Sequence, residues 1–195
     1  MNNKLVGILL AAGYSRRFGA DKLLARLPDG TPVALASARA LRDGLKIALG
    51  ENTQTFAVVR PEQKELVELL SHEGITVLTS AAAKRGMGAS LAAAVAATPD
   101  AQGWIAALAD MPFLKPDTVA AVARALIDGG TAAAPLVNGQ RGHPVGFAQA
   151  FGPALRSLDG DEGARQIIAG ASITLLPCED AGALRDIDLP ADIFT

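Results

Sequence analysis

Residues 9–23 read LAAGYSRRFGADKLL and gather the parts of an anion site: a small-residue turn, two adjacent arginines and a lysine directly behind an apolar run. Gly13 and Gly19 can adopt backbone angles closed to other residues and let phosphate oxygens approach main-chain N–H groups, while Arg16 and Lys22 bring positive charge. A triphosphate suits such a loop. The local charge agrees: residues 1–30 hold five basic side chains, Lys4, Arg16, Arg17, Lys22 and Arg26, against Asp21 and Asp29, in a chain of formal net charge −2. An isolated Gly/Arg loop is more often solvated surface, and it is the place behind a first strand that argues for an anion. Neither G-x-x-x-x-G-K-[ST] nor G-x-G-x-x-G occurs at this turn, which counts against a P-loop kinase and an ordinary dinucleotide dehydrogenase. Lys22 is expected to be exposed, so that its loss would leave stability nearly unchanged.

A second feature points to the same chemistry. WIAALADMPFL (104–114) runs an apolar strand into Asp110 and then a rigid Met-Pro turn, so a carboxylate stands at a strand's carboxyl end. Mg²⁺ commonly takes one or two protein carboxylates and completes its shell with waters and phosphate oxygens. The tail RDIDLPADI offers a further ligand, either Asp186 or Asp188, which alternate on one face if the segment is extended. GMGASL (86–91) sets backbone amides at a helix start, with Gly86 and Ser90 as a second anion or base contact. Of the two histidines, His72 falls in a charged helix end and reads as surface, whereas His143, between Gly142 and Pro144, sits in a tight turn.

These residues need a scaffold, and the chain supplies one. Half of the 195 residues are hydrophobic, enough for one compact domain without staples. The net charge gives no global field toward nucleic acid or an anionic bilayer. No segment approaches the ~20 apolar residues of a membrane span. The single Cys178 cannot form an internal disulfide and reads as a buried spectator in a reducing compartment, the cytoplasm. Strands are predicted over 5–11, 56–59, 76–78, 104–108 and 132–137. Helices are predicted from an N-cap at Thr31 through 45, from Pro61, over 88–97 and over 116–127. Such alternation predicts a Rossmann-like three-layer α/β/α fold with a mostly parallel sheet and ligands beyond the strands' carboxyl ends. After Val137, the Asn138-Gly139 pair signals a hairpin and residues 143–147 an antiparallel addition, followed by two short helices and a strand over 173–176.

The ordered set of motifs, LAAGYSRRFGADKLL, GMGASL, ADMPFL, GHPVGF, GDEGAR and DIDLPAD, spans nearly the whole chain and resembles the molybdenum cofactor nucleotidyltransferases, their cytidylyltransferase branch most closely. The resemblance implies a single nucleotidyltransferase domain that uses CTP and Mg²⁺ to convert molybdopterin cofactor to its cytosine dinucleotide with release of pyrophosphate. A client molybdoenzyme would be a further partner. It assigns nucleotide binding to Leu10, Ala11, Ala12, Gly13, Arg16, Gly19, Lys22, Gly86 and Ser90, and catalysis to Lys22, Arg16 and Asp110. The metal falls to Asp110 with Asp188 or Asp186, and the acceptor to His143, Asp161 and Arg165. Residues 1–130 would mainly bind nucleotide and 131–195 mainly acceptor. Two positions depart from the family's pattern on the expected acceptor side: Glu162, where relatives often carry a basic residue, and Gly146, where a larger one is usual.

The chemistry fits the residues present. A phosphate attacking an α-phosphorus is already ionised at neutral pH, so no proton-abstracting His or Cys is required, only placement of two anions and neutralisation of pyrophosphate. Guanine-using relatives resemble LAGG at the first turn. Here Ala12 adds a methyl that would crowd a purine and favours a pyrimidine by ~1–3 kcal/mol. Other readings stay open: a GTP-using or sugar-phosphate nucleotidyltransferase, a nucleotide-binding chaperone that hands cofactor to a molybdoenzyme, or a variant oxidoreductase.

Overall fold

The computed structural model describes residues 4–15, 17–161, 163–170 and 172–194. Arg16 and Glu162, both singled out above, lie outside the described residues. The apolar run LVGILL forms β1 (Leu5–Leu10), buried along almost its whole length because it lies inside the sheet with helices on both faces. It pairs in parallel with β2 (Gln54–Val59) on one side and β4 (Gly103–Leu108) on the other, and β2 pairs in parallel with β3 (Thr76–Thr79). Beyond β4 the pattern changes. The antiparallel strand β7 (Val145–Ala148) is wedged between β4 and β5 (Ala132–Val137). The two-residue β6 (Gln140–Arg141) closes the Asn138-Gly139 hairpin against β5. Finally β8 (Thr174–Pro177) adds in parallel to the opposite side of β5. The mostly parallel α/β sheet with an antiparallel C-terminal addition is as expected.

Strand alternation sorts side chains to the two faces. Leu5 and Leu9 join the core beneath α1 (Val33–Leu49), α2 (Lys64–His72) and α4 (Pro116–Ile127). Val6 and Ile8 join the core beneath α3 (Met87–Ala97), α5 (Gly152–Arg156) and α6 (Arg165–Ala169), with Trp104 and Phe147 at its centre. A third, smaller cluster of Val33, Ile187 and Ile193 with Phe18 and Phe113 fastens the C-terminal tail to the loop that follows β1. Among the described residues no helix is long and apolar enough to cross a membrane.

Local details correct several expectations. The N-cap of α1 is Pro32, without a side-chain cap, because Thr31 is used in a turn: its N–H donates to Asp29 Oδ1 and its carbonyl accepts from Leu27 N. Pro61 precedes α2 by a turn, and Gln63 is the N-cap. Cys178 is half-buried rather than buried, with Sγ 3.6 Å from Thr118 Oγ1 and accepting from Asp180 N at 3.3 Å. Gly146 faces the helix layer, not the acceptor side, since a Cβ there would lie 2.9 Å from Val122 and 3.1 Å from Leu126 of α4.

Helices α1 and α4 approach closely at Gly44, where a Cβ would run into the Pro116 carbonyl and lie 2.5 Å from Val119 Cβ. Helix propensity alone would favour alanine at this position by ~1 kcal/mol. Overpacking against rigid backbone outweighs it, so Gly44→Ala should lower stability by about 1–3 kcal/mol in urea titration. An unchanged or raised midpoint would show that the two helices can separate without cost.

Candidate active site

The loop after β1 turns back so that Leu23 is buried beneath α1, with Ala34 N donating to Leu23 O and Val33 N to Ala25 O. This draws the adjacent Lys22 inward. Its Nζ lies 2.7 Å from Asp110 Oδ2 and 3.2 Å from Asp188 Oδ1, while Arg17 reaches the other Asp188 oxygen at 2.7 Å. Lys22 is only 8% exposed, which corrects the expectation of an exposed lysine. Burial pulls its pKa down, but the hydrogen bonds and charges of Asp110 and Asp188 outweigh burial and leave it raised, so the ammonium is charged at neutral pH.

Each carboxylate is set by its element. Asp110 follows β4, whose register beside β1 puts it level with the glycine turn, and Ala109 N donates to Leu10 O. Asp188 is placed by its neighbour: Ile187 is fully buried and its N–H donates to Asp110 O at 2.8 Å. The amides of Asp188 and Leu189 both donate to Asp192 Oδ2, which bends the tail into a short 3₁₀ turn, Pro190–Ile193. The segment is therefore not the extended strand expected, and Asp186 and Asp188 part company. Asp188 lines the cleft, whereas Asp186 is exposed, outside the cleft lining, and acts through its field on His143.

The cluster closes one end of a cleft of about 400 Å³ above the strands' carboxyl ends, with Gly13 and Ala12 on one wall and Lys84 and Gly86 on the other. Gly86 has φ +136°, and a Cβ there would collide with the Gly160 carbonyl and the Asp161 carboxylate. This close approach, with Gly88 N donating to Gly160 O at 2.9 Å, docks GMGASL against GDEGAR. Ser90 lines the cleft, but its hydroxyl donates to Gly86 O and caps its own helix turn. A second cavity of about 500 Å³ holds Arg141, His143 and Arg165 over an apolar floor that includes Val145 and Phe147. Leu10, Met87 and Asp161 line both cavities, so the two are contiguous.

Residues 7–175 match the MobA-like NTP transferase domain. The chain belongs to that family. Purine catabolism protein PucB of Bacillus subtilis (strain 168) is 29% identical over 201 residues, covering 96% of this chain and 93% of that protein. The crystal structure of Rv0371c from Mycobacterium tuberculosis H37Rv is similar with a TM-score of 0.83 at 25% identity, over 98% of this chain and 96% of that one. A manganese complex of Rv0371c shares the fold with a TM-score of 0.79 at 22% identity, over 97% and 95% of the two chains. Family membership makes the protein a nucleotidyltransferase.

Within this MobA-like framework most residues singled out in the sequence converge. Leu10, Ala12, Gly13, Lys22, Gly86, Ser90, Asp110, Asp161 and Asp188 share the first cavity, and His143, Asp161 and Arg165 the second. Ala11 is fully buried, with its N–H donating to Val58 O, and it supports the turn from below. Gly19 has φ +79° and is exposed outside the cleft lining, so it shapes the loop. Sequence reasoning passed over Arg17 as a contact, although the doubled arginine was a signal for it, and it passed over Arg141. Burial pushes the His143 imidazole down to about 4, with Arg141 adding to the effect, and its Nδ1 is buried without a hydrogen-bond partner among the described residues. It is neutral at pH 7.

Two outcomes follow from these charges. Lys22→Met leaves Asp110 and Asp188 facing each other without their cation, so the melting temperature in metal-free buffer at pH 7 should fall by several degrees. A Tm equal to wild type at pH 7 would contradict the pairing. For His143 the unfolded chain binds a proton below about 6.5 that the folded chain refuses until about 4. Stability present above pH 6.5 is therefore lost as pH falls toward 4, by on the order of 2–3 kcal/mol from this group. His143→Gln should flatten that part of the curve in denaturant titrations between pH 4 and 7.

Proposed function

We propose that this chain transfers CMP from CTP to the terminal phosphate of molybdopterin cofactor, giving the cytosine dinucleotide and pyrophosphate. The observation that carries the reading is the Lys22 ammonium held between Asp110 and Asp188 where a glycine turn opens into two contiguous cavities. One cavity is sized and charged for a nucleotide. The other, with arginines around an apolar floor, suits a flat heterocycle carrying a phosphate. In this reading residues 1–130 chiefly bind nucleotide and 131–195 chiefly bind acceptor. The acceptor phosphate attacks the α-phosphorus, the bond to the β-phosphate oxygen breaks, and pyrophosphate leaves without a proton having to be removed. Lys22 and Arg17 stand where negative charge accumulates, and neutral His143 with Arg141 and Arg165 orients the acceptor.

The residues also fit a divalent cation. Asp110 and Asp188 already share one positive charge, although among the described residues no group of three His, Cys, Asp or Glu forms a complete metal site. Two carboxylates plus phosphate oxygens are the ordinary holding for Mg²⁺, which when bound would supply charge against the departing pyrophosphate. A protein that shares this fold has been crystallised with manganese. Cytoplasmic location and a client molybdoenzyme complete the proposal.

Incubation with CTP, Mg²⁺ and molybdopterin cofactor should yield dinucleotide on chromatography and equimolar pyrophosphate. Asp110→Asn and Lys22→Ala should each lower turnover at least about 100-fold, since both act where charge develops. Asp186→Asn should leave the rate within about twofold. Ala12→Gly should raise GTP efficiency about tenfold without inverting the preference, as a methyl group is worth ~1–3 kcal/mol. Preference of the wild type for GTP in a competition assay would reject the cytidylyl assignment.

A further inference from the structure

Arg60, the residue after β2, belongs to no motif, yet its side chain is tied into the nucleotide cleft from behind. It is 8% exposed and does not line the cavity. Its guanidinium donates from one nitrogen to two main-chain oxygens, Ala12 O at 2.6 Å and Gly13 O at 2.7 Å. The same group lies 4.1 Å from the centre of the Tyr14 ring, and its Nε is 3.3 Å from Glu62, which in turn holds Lys84 of the opposite wall at 3.1 Å. Gln63 Oε1 accepts from the Arg60 N–H at 2.9 Å and fixes the residue's own backbone.

The consequence lies in what the glycine turn can offer a ligand. Leu10 O is taken by Ala109 N, and the Ala12 and Gly13 carbonyls are turned toward Arg60. Among the described residues the N–H groups of Ala12 and Gly13 have no hydrogen-bond partner, and both residues line the cleft. The turn therefore offers two adjacent donors, while the carbonyls of Leu10, Ala12 and Gly13 already accept hydrogen bonds. A base edge with two adjacent acceptors, such as N3 and O2 of cytosine, matches two donors. Guanine presents two adjacent donors, N1–H and N2–H₂, which need the carbonyls that Arg60 occupies, and buried unmatched donors are rejected strongly. We infer that Arg60 is a specificity-determining residue, which acts through the turn rather than on the ligand by withdrawing its carbonyls and leaving a site for acceptor-edged bases. This rests on the nucleotide reading above and extends it to the cause of base choice.

The test is equilibrium binding by calorimetry, without acceptor, of CTP, GTP and two CTP analogues to the wild type. 3-Deaza-CTP, which lacks the N3 acceptor, should bind at least tenfold more weakly than CTP. The 2-pyrimidinone nucleotide, which lacks only the exocyclic amine, should bind within about threefold of it. Arg60→Met should bring CTP and GTP affinities within about threefold of each other and leave tripolyphosphate binding unchanged, and Arg60→Lys should restore part of the discrimination. Equal binding of 3-deaza-CTP and CTP would overturn the inference, as would an Arg60→Met protein of near wild-type melting temperature that keeps the wild-type ratio. If Arg60→Met does not fold, the analogue series on the wild type decides. Failure of the wild type to bind CTP at all would instead reject the nucleotide reading beneath it.

Discussion

One ammonium shared by two carboxylates organises this molecule. Lys22 comes from the first loop, Asp110 from the end of the fourth strand and Asp188 from the C-terminal tail, and no two of them belong to the same structural element. Three negatively or positively charged groups so close to the interior are tolerable only because each compensates another, and each costs stability if left alone. The fold meets that condition by making β1 and β4 sheet neighbours and by pinning Ile187 to the Asp110 carbonyl. The tail is thus part of the site, and the small apolar cluster of Val33, Ile187 and Ile193 has a chemical consequence as well as a packing one.

The same economy appears across the two cavities. Leu10, Met87 and Asp161 border both, so a nucleotide and an acceptor would meet over one short stretch of wall instead of across a solvent gap. Beside it, Gly86 packs against Gly160 and Asp161 with no room for a side chain. Lys22, buried beside Asp110 and Asp188, puts its charge at one end of that shared wall.

Much of this was legible in the sequence, for local reasons. Unbroken apolar runs advertise buried strands and apolar periodicity advertises helices, so β5 (Ala132–Val137) and α4 (Pro116–Ile127) begin and end where expected. The family motifs brought most of the cleft residues with them, from Gly13 to Asp188. What escaped was long-range or depended on competition. Thr31 has the composition of an N-cap but spends its backbone on the Asp29 turn. Asp186 and Asp188 looked equivalent until the tail bent, and Lys22 looked exposed because its partners lie 88 and 166 positions away. Arg60 had no local signal at all: only the sheet, which sets the end of β2 beside the end of β1, gives it the Ala12 and Gly13 carbonyls.

The wedging of β7 between β4 and β5 bears on how the chain is made. β5 leaves the ribosome before β7, and its link to β4 and the N-terminal half of the sheet is β7 itself. Until residues 145–148 emerge, a nascent chain holds the parallel strands β1 to β4 beside an orphaned β5 with open edges, the kind of surface that invites mispairing. The parallel strands with the glycine turn can settle first, β5 joins them only when the antiparallel β7 slides in between, and β8 adds to the far side of β5 afterwards.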